Sequence, residues 1–111
     1  MAYDEKIAEE VRERLAVIDG EVIEKRMFGG LGFMVDGNLA VAASRGGGLL
    51  VRTDPADAEE VESRPGVEPM ESAGRRMPGW VIVAPEALDS EPALDAWITR
   101  ALAFVASLPP K

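Results

Sequence analysis

The spacing of apolar residues in the first twenty positions predicts an amphipathic helix. Four apolar side chains recur at helical intervals and form one side of it: Ile7, Val11, Leu15 and Ile18. Asp4 and Glu5 suit the start of this helix, where the macrodipole favours negative charge. Glycine readily adopts the left-handed conformation that stops a helix. We therefore expect the first helix to end at Asp19-Gly20.

Between residues 22 and 53 the apolar pattern changes to the alternation of extended chain. Four strands are predicted here: Val22–Phe28, Leu31–Val35, Leu39–Ala43 and Leu49–Thr53. Gly29-Gly30 bends or bulges the chain after the first strand. Asp36-Gly37 indicates a tight hairpin, since a type I′ turn needs positive φ at both central residues. With Arg45-Gly46-Gly47-Gly48 as the next loop, the region is expected to form an antiparallel meander.

The register of the Asp36-Gly37 hairpin has two alternatives. A two-residue turn places Phe33 opposite Ala40 and makes both faces of the hairpin apolar, whereas an odd-length loop aligns Phe33 with Val41 and leaves one apolar face. The strand predicted over Trp80–Ala84 also carries apolar residues on both faces. A sheet with two apolar faces needs cover on both. Helices or a second subunit can supply that cover.

The segment after residue 53 combines a short helix with less regular chain. A helix over Asp54–Glu62 begins with an N-cap aspartate and a proline in its first turn, and Arg64-Pro65-Gly66 ends it. Val67–Met70 is predicted as a brief strand that its proline places at the edge of the sheet. Glu71–Gly79 contains two glycines, a proline and two adjacent arginines. It is interpreted as an exposed loop or an open hairpin.

The last predicted elements are the strand Trp80–Ala84 and a helix capped by Asp89 or Ser90. The apolar side of this helix is continuous: Leu94, Trp97, Ile98, Ala101, Leu102, Val105 and Leu108. The fold class is therefore α+β in a single domain over residues 1–111. An antiparallel sheet of about four to six strands carries the N- and C-terminal helices and a short middle helix.

Composition removes most catalytic chemistry. The chain has no cysteine and no histidine, so disulfides, Cys/His zinc sites, Ser-His-Asp or Cys-His catalysis and imidazole acid–base chemistry are excluded. The clustered carboxylates fall on polar helix faces and lack the ligand spacing of calcium loops. We predict no catalytic residue, no metal ligand, no cofactor and no enzymatic activity. No apolar run reaches the roughly 18 residues of a membrane span, and we expect a cytoplasmic protein.

The charge balance disfavours direct binding of nucleic acid. Twelve basic and twenty acidic residues give a net charge of −8, and such a domain repels phosphate backbones. The segment between positions 22 and 53 has only two acidic residues and four basic ones, which are Lys25, Arg26, Arg45 and Arg52. These four residues form either a local basic patch or a set of solvated charges at strand edges, which discourage edge pairing.

The candidate interaction residues combine glycines, arginines and large apolar side chains: Arg26, Met27, Phe28, Gly29, Gly30, Gly32, Arg75, Arg76 and Trp80. The glycines lead into a strand rather than a helix, so they differ from a dinucleotide-binding loop and favour a bulge or close backbone packing. Arg75-Arg76 near Trp80 combines cations with an aromatic ring, which suits a base or an acidic partner but also an ordinary solvated loop.

Three segments resemble the N-terminal domain of the TfoX/Sxy family, the competence regulators of bacteria. They are Arg26-Met27-Phe28-Gly29-Gly30-Leu31-Gly32-Phe33, the turn Val35-Asp36-Gly37, and Met77-Pro78-Gly79-Trp80 leading to Pro85-Glu86. Two-domain members of this family are linked to transcriptional control of DNA uptake and have a second helical region. The resemblance implies a stand-alone N-terminal domain here, with no catalytic residue to carry over.

Two functional hypotheses follow. The first is a non-enzymatic regulatory or protein-interaction domain, with a protein partner or a homodimer formed through the two-faced sheet. The alternative is a binder of a small anionic ligand or nucleotide that uses Arg26, Arg75, Arg76 and the glycine segment. Convergence of these arginines beside the glycines would favour the alternative.

Overall fold

The computed structural model describes residues 3–27 and 29–110 and contains a six-stranded antiparallel sheet. The strands are β1 (Val22–Met27), β2 (Gly30–Val35), β3 (Asn38–Ala43), β4 (Leu49–Arg52), β5 (Val67–Ser72) and β6 (Arg75–Val83). Their order in the sheet is β1-β2-β3-β4-β6-β5. The predicted α+β class is confirmed. Phe28, predicted as the last residue of the first strand, lies outside the described residues.

Helix α1 (Glu5–Leu15) begins as predicted and ends earlier than predicted. The Asp4 side chain caps its N-terminus by accepting from the Lys6 backbone N–H at 2.8 Å. The prediction that the helix continues to Asp19-Gly20 is wrong, because the chain leaves the helix after Leu15 and turns towards β1. The Asp36 carboxylate holds this turn by accepting from the Glu21 backbone N–H at 3.0 Å.

The β2–β3 hairpin combines features of both predicted registers. Asp36 and Gly37 have positive φ and form the tight turn. A bulge at Ala40 then shifts the register, so that Phe33 pairs with Val41. The extra residue thereby places Phe33 opposite a β-branched core residue without an odd-length loop. Beside the bulge, the register still pairs Met34 with Leu39 on the other face of the sheet.

Of the two alternatives predicted for Glu71–Gly79, the structure contradicts the exposed loop and has a hairpin, whose strands β5 and β6 are paired rather than open. Ala73 and Gly74 have positive φ of 54° and 78° and join the two strands directly. β6 therefore begins at Arg75, five residues before the predicted Trp80. The register shifts between Pro69 and Glu71 of β5, opposite the part of β6 that contains Pro78 and Gly79.

The other helices match their predicted places. The predicted Asp54–Glu62 helix is a 3₁₀ turn (Pro55–Asp57) followed by α2 (Ala58–Glu62), and the Asp54 side chain caps it. Ser90 caps α3 (Glu91–Ala106) by accepting from the Ala93 backbone N–H at 3.2 Å. None of the helices in the described ranges is long and apolar enough to span a bilayer.

Within residues 3–27 and 29–110 the helices pack on one face of the sheet, which we call the covered face. Side chains of α1 and α3 form the main core with alternate residues of the strands, including Phe33, Val51 and Val81. Thr53 is fully buried at the end of β4 and donates to the Gly79 carbonyl at 3.2 Å, so its hydroxyl is satisfied. The other face of the sheet has a separate apolar cluster.

Candidate functional site

The second apolar cluster defines an open face, on which no helix in the described part of the chain packs. Nine residues, all from strands, form it: Met27, Met34, Leu39, Ala42, Leu50, Met70, Met77, Trp80 and Ile82. Leu39, Ala42, Leu50 and Met70 are buried, and the other five side chains pack against them and are partly exposed. The open face is therefore a closed apolar floor beneath a partly hydrated outer layer.

Methionine dominates this outer layer. The chain has five methionines, and the four that follow Met1 all belong to the open face. Gly32 allows this packing, because a Cβ atom there would lie 2.8 Å from the Met27 sulfur. Unbranched thioether side chains adapt to differently shaped partners and are common at protein-binding surfaces.

Opposite charges mark the two edges of the open face. One cross-strand row passes through all six strands in register: Lys25, Gly32, Ala42, Leu50, Ile82 and Glu68. Lys25 and Glu68 are exposed at its ends, and neither joins an ion pair within the described residues. The interior of the row is uncharged. This row is thus apolar at its centre, basic at its β1 end and acidic at its β5 end.

Arg52 connects the open face to α3. Its guanidinium carbon lies 4.7 Å from the centroid of the Trp80 ring and 5.5 Å from that of the Phe104 ring. Burial lowers the pKa of Arg52 from its ordinary value, since desolvation disfavours the charged form. The two aromatic rings hold this arginine in place at the end of β4, and the arginine in turn restrains Trp80.

Both edges of the sheet are protected against pairing with another strand. Edge strand β1 has three consecutive charged residues, Glu24-Lys25-Arg26, which disfavour pairing at that edge. Edge strand β5 contains Pro69, which lacks a backbone N–H, and an irregular register beside it. The exposed apolar surface of the sheet is consequently its face and not its edges.

The predicted glycine segment forms a close packing of strands rather than an anion cradle. A Cβ atom on Gly30 would lie 2.0 Å from the Ala43 carbonyl oxygen, so only glycine fits at this place. Gly29 has a φ of 74° and lies beside the Arg45 side chain, 3.6 Å from its Nε at the position of a Cβ atom. Arg45, rather than Arg26, Arg75 or Arg76, is therefore the arginine within 4 Å of this position at Gly29.

The three predicted arginines do not converge. Arg26 lies on edge strand β1, whereas Arg75 and Arg76 lie on β6, with three strands between them. Arg76 forms an ion pair with Glu62 of α2, whose other carboxylate oxygen is buried and has no hydrogen-bond partner among the described residues. Of the predicted interaction residues, Met27 and Trp80 belong to the open-face cluster, and Gly32 packs against Met27 on the same side. Phe28 lies outside the described residues.

The ionisable groups with shifted pKa values stabilise the fold at its surface. The Arg12 guanidinium donates to both oxygens of Glu24, at 2.5 and 2.9 Å, and joins α1 to β1. This hydrogen bond lowers the pKa of Glu24 and raises that of Arg12. The Arg64 hydrogen bond similarly lowers the pKa of Glu60. Within residues 3–27 and 29–110 no group of three acidic side chains is arranged to hold a metal ion.

Sequence reasoning missed most of the open face. It did not select Met34, Leu39, Leu50, Met70 or Ile82. Two signals pointed to them: the apolar residues on both faces of the Asp36-Gly37 hairpin, and the restriction of methionine to strand and hairpin segments. Lys25 and Glu68 can be recognised as the two ends of one row only when the strand order is known, because β1 and β5 become opposite edges in the folded sheet.

Comparison with protein families matches residues 13–105 to the TfoX N-terminal domain. The match spans most of the 111-residue chain and includes the whole six-stranded sheet. No curated protein and no solved structure matches the chain.

Proposed function

Because the chain belongs to the TfoX N-terminal domain family, we propose that it is a non-enzymatic regulatory domain that binds a protein through its open face. Family membership supports the regulatory part of this proposal. The observation that supports protein binding is the open face itself, which gathers four methionines and a tryptophan on the side of the sheet opposite the helices. A contiguous apolar surface of this kind is typical of interaction sites.

The composition of the open face suits a protein partner better than a small molecule. Its floor is filled by Leu39, Ala42, Leu50 and Met70, which favours a broad contact surface. The pocket that reaches this face beside Glu68 and Ile82 is open to solvent, whereas small-molecule sites enclose most of their ligand. Tryptophan and methionine are enriched at protein interfaces. Trp80 is a strong anchor, since it is partly exposed and restrained by Arg52.

Site-specific photocrosslinking in the cell that produces the protein tests this proposal. A photoreactive residue at Met34 probes the open face, and one at Glu13, exposed on α1, is the matched control. We expect covalent protein adducts at position 34 and few at position 13. An absence of adducts at position 34, or equal yields at both positions, would contradict protein binding through this face.

The regulated process requires a genetic test. The resemblance to competence regulators makes DNA uptake the first process to measure, by comparing transformation frequency with the intact gene and with the Trp80→Glu variant. We expect the variant to behave like a deletion if the open face carries the function. Unchanged frequencies in both strains would assign the domain to another process.

An anionic ligand remains the competing function, and the structure gives it less support. Three strands separate Arg26 from Arg75 and Arg76, so these residues cannot act together on one phosphate. A thermal-shift screen with nucleotides and anionic metabolites separates the two functions. A ligand at a hundredfold excess over its Kd stabilises a protein by about 2.7 kcal/mol, which is readily detected. A clear rise in Tm with one of these compounds would favour the ligand-binding function.

A further inference from the structure

Resting on the function proposed above, we propose that the open face binds a second copy of this chain. The two copies are related by a two-fold axis that runs along the strands, between β3 and β4. The face has three strands on each side of this line, so each strand meets its counterpart from the other half of the sheet. The edge strand β1 of one copy then faces β5 of its partner.

The charge pattern selects this axis. A two-fold rotation about the strand direction reverses the order of the strands, so Lys25 of each copy faces Glu68 of the other. A two-fold axis across the strands would instead place Lys25 over Lys25 and Glu68 over Glu68. Like charges facing each other suppress an interface, whereas opposite charges favour it. Only the first arrangement forms two symmetric ion pairs around the apolar centre.

The neighbouring row supports the same arrangement. Ile23 is 50% exposed at the β1 edge and pairs with Met34, while Trp80 pairs with Arg52 in the other half of the sheet. With the axis along the strands, Met34 meets Trp80 of the other copy. Ile23 approaches the partner's β5, which removes this exposed apolar side chain from water.

The twist of the sheets is compatible with the charge pairing. Packed sheets align within about 30° of each other. Each end of the row lies about 12 Å from the axis at the usual strand spacing, so this rotation moves Lys25 and Glu68 apart by about 6 Å. The long, flexible lysine side chain can span such an offset. The pairing of Lys25 with Glu68 is therefore compatible with the angle at which twisted sheets pack.

The size of the face predicts a weak, reversible dimer. Six strands of about six residues cover roughly 29 by 20 Å at ordinary strand spacing and rise. Two such faces bury about 1,200 Å² together, the lower limit for specific protein interfaces. The charged and irregular edges of β1 and β5 disfavour association by pairing of edge strands. Association is accordingly expected at micromolar concentration.

Charge variants of the full chain test the proposal by sedimentation velocity between about 1 and 200 μM, the range for a weak interface. Lys25→Glu and Glu68→Lys should each raise the Kd about tenfold, since both symmetric contacts become repulsive. An equimolar mixture of the two variants should bind within about twofold of the wild type, since the heterodimer again pairs opposite charges at both contacts.

Two variants on α1 serve as matched controls. Lys6 and Glu13 are exposed on the opposite side of the molecule, and Lys6→Glu and Glu13→Lys reproduce the changes in net charge. These variants, and their mixture, should bind within about twofold of the wild type, since distant surface charges are screened by salt. Restored binding by the open-face mixture alone would establish the pairing of Lys25 with Glu68.

Three results would overturn this inference: a wild type that stays monomeric at about 200 μM, single variants that bind like their controls, or a mixture no tighter than the single variants. The crosslinking at Met34 separates this failure from failure of the proposed function. Adducts with a different protein would support the proposed function as a protein-interaction domain and would contradict the homodimer. Adducts between two copies of the chain would support both.

Discussion

Phe33 and Met34 are neighbours in β2 with opposite surroundings. Phe33 is fully buried on the covered face, whereas Met34 lies partly exposed on the open face. Phe33→Ala should destabilise the protein by about 3–5 kcal/mol through loss of packing and creation of a cavity. Met34→Ala should cost well below about 2 kcal/mol, because much of its surface is already hydrated. Urea unfolding measures both changes.

The two substitutions should have the reverse order in a self-association assay. Met34→Ala should weaken the dimer while the protein stays folded, and a folded fraction of Phe33→Ala should dimerise normally. Equal losses of stability for the two variants would mean that both faces of β2 are buried within one chain. The open face would then not be an interaction surface.

Gly30 is fixed by its neighbour on β3. An alanine Cβ at this position would lie 2.0 Å from the Ala43 carbonyl oxygen, so the backbone must move. Gly30→Ala should destabilise the protein by about 2–3 kcal/mol. Gly46 is a control with open space around it but a φ of 90°, and Gly46→Ala should cost about 1 kcal/mol. Equal values in urea unfolding would contradict the close strand contact.

At the scale of elements, the ion pair between Arg12 and Glu24 ties α1 to edge strand β1. Its hydrogen bond lowers the pKa of Glu24 below the ordinary value of 4.5. A lowered folded-state pKa contributes stability that is fully present above the ordinary value and is lost as the pH falls through the lowered one. The wild type should therefore exceed Glu24→Gln in stability at neutral pH, and this difference should vanish in acid.

Urea midpoints measured from pH 7 down through the titration of Glu24 check this expectation. Glu24 is about one-third exposed, so solvent screening keeps the difference small. Glu13→Gln on α1, the helix that carries Arg12, is the control, since Glu13 joins no ion pair among the described residues. A difference for Glu24→Gln that persists unchanged in acid would assign its effect to packing.

The elements were predictable where periodicity was strong and less so where a few residues decide the geometry. The apolar side of α3 gave its position, and Asp36-Gly37 gave a turn. Periodicity could not predict the bulge at Ala40, which depends on the packing of Phe33 against Val41. It also missed the turn at Ala73-Gly74, because alanine at positive φ is unfavourable and only the pairing around it stabilises the hairpin.

The candidate site was less predictable than the fold because it depends on strand order. Arginines that are near in sequence or share a motif suggested one cluster, but Arg26 and Arg76 belong to strands near opposite edges. Lys25 and Glu68 gain their significance only as the two ends of one row. Local sequence patterns predict which face of a strand is apolar. They do not predict which strands become neighbours.

At the scale of the whole molecule, the single-sided packing of helices separates the roles of the two tryptophans. Trp97, a residue of α3, is 7% exposed in the core between this helix and the sheet, and Trp80 is partly exposed on the open face. In Trp97→Phe, the remaining Trp80 should shift its emission to shorter wavelength as the protein concentration rises through the dimer Kd, because the partner excludes water from the ring. In Trp80→Phe, the remaining Trp97 should emit at a constant wavelength.

The Lys25→Glu substitution in the Trp97→Phe background should move the emission transition about tenfold higher in concentration, as expected for two repulsive contacts. Circular dichroism would confirm that each variant remains folded. A concentration-dependent shift from Trp97 would locate self-association on the helical side of the molecule. Since Trp80 and Trp97 lie on opposite sides of one sheet, the identity of the responding tryptophan determines which face carries the interaction.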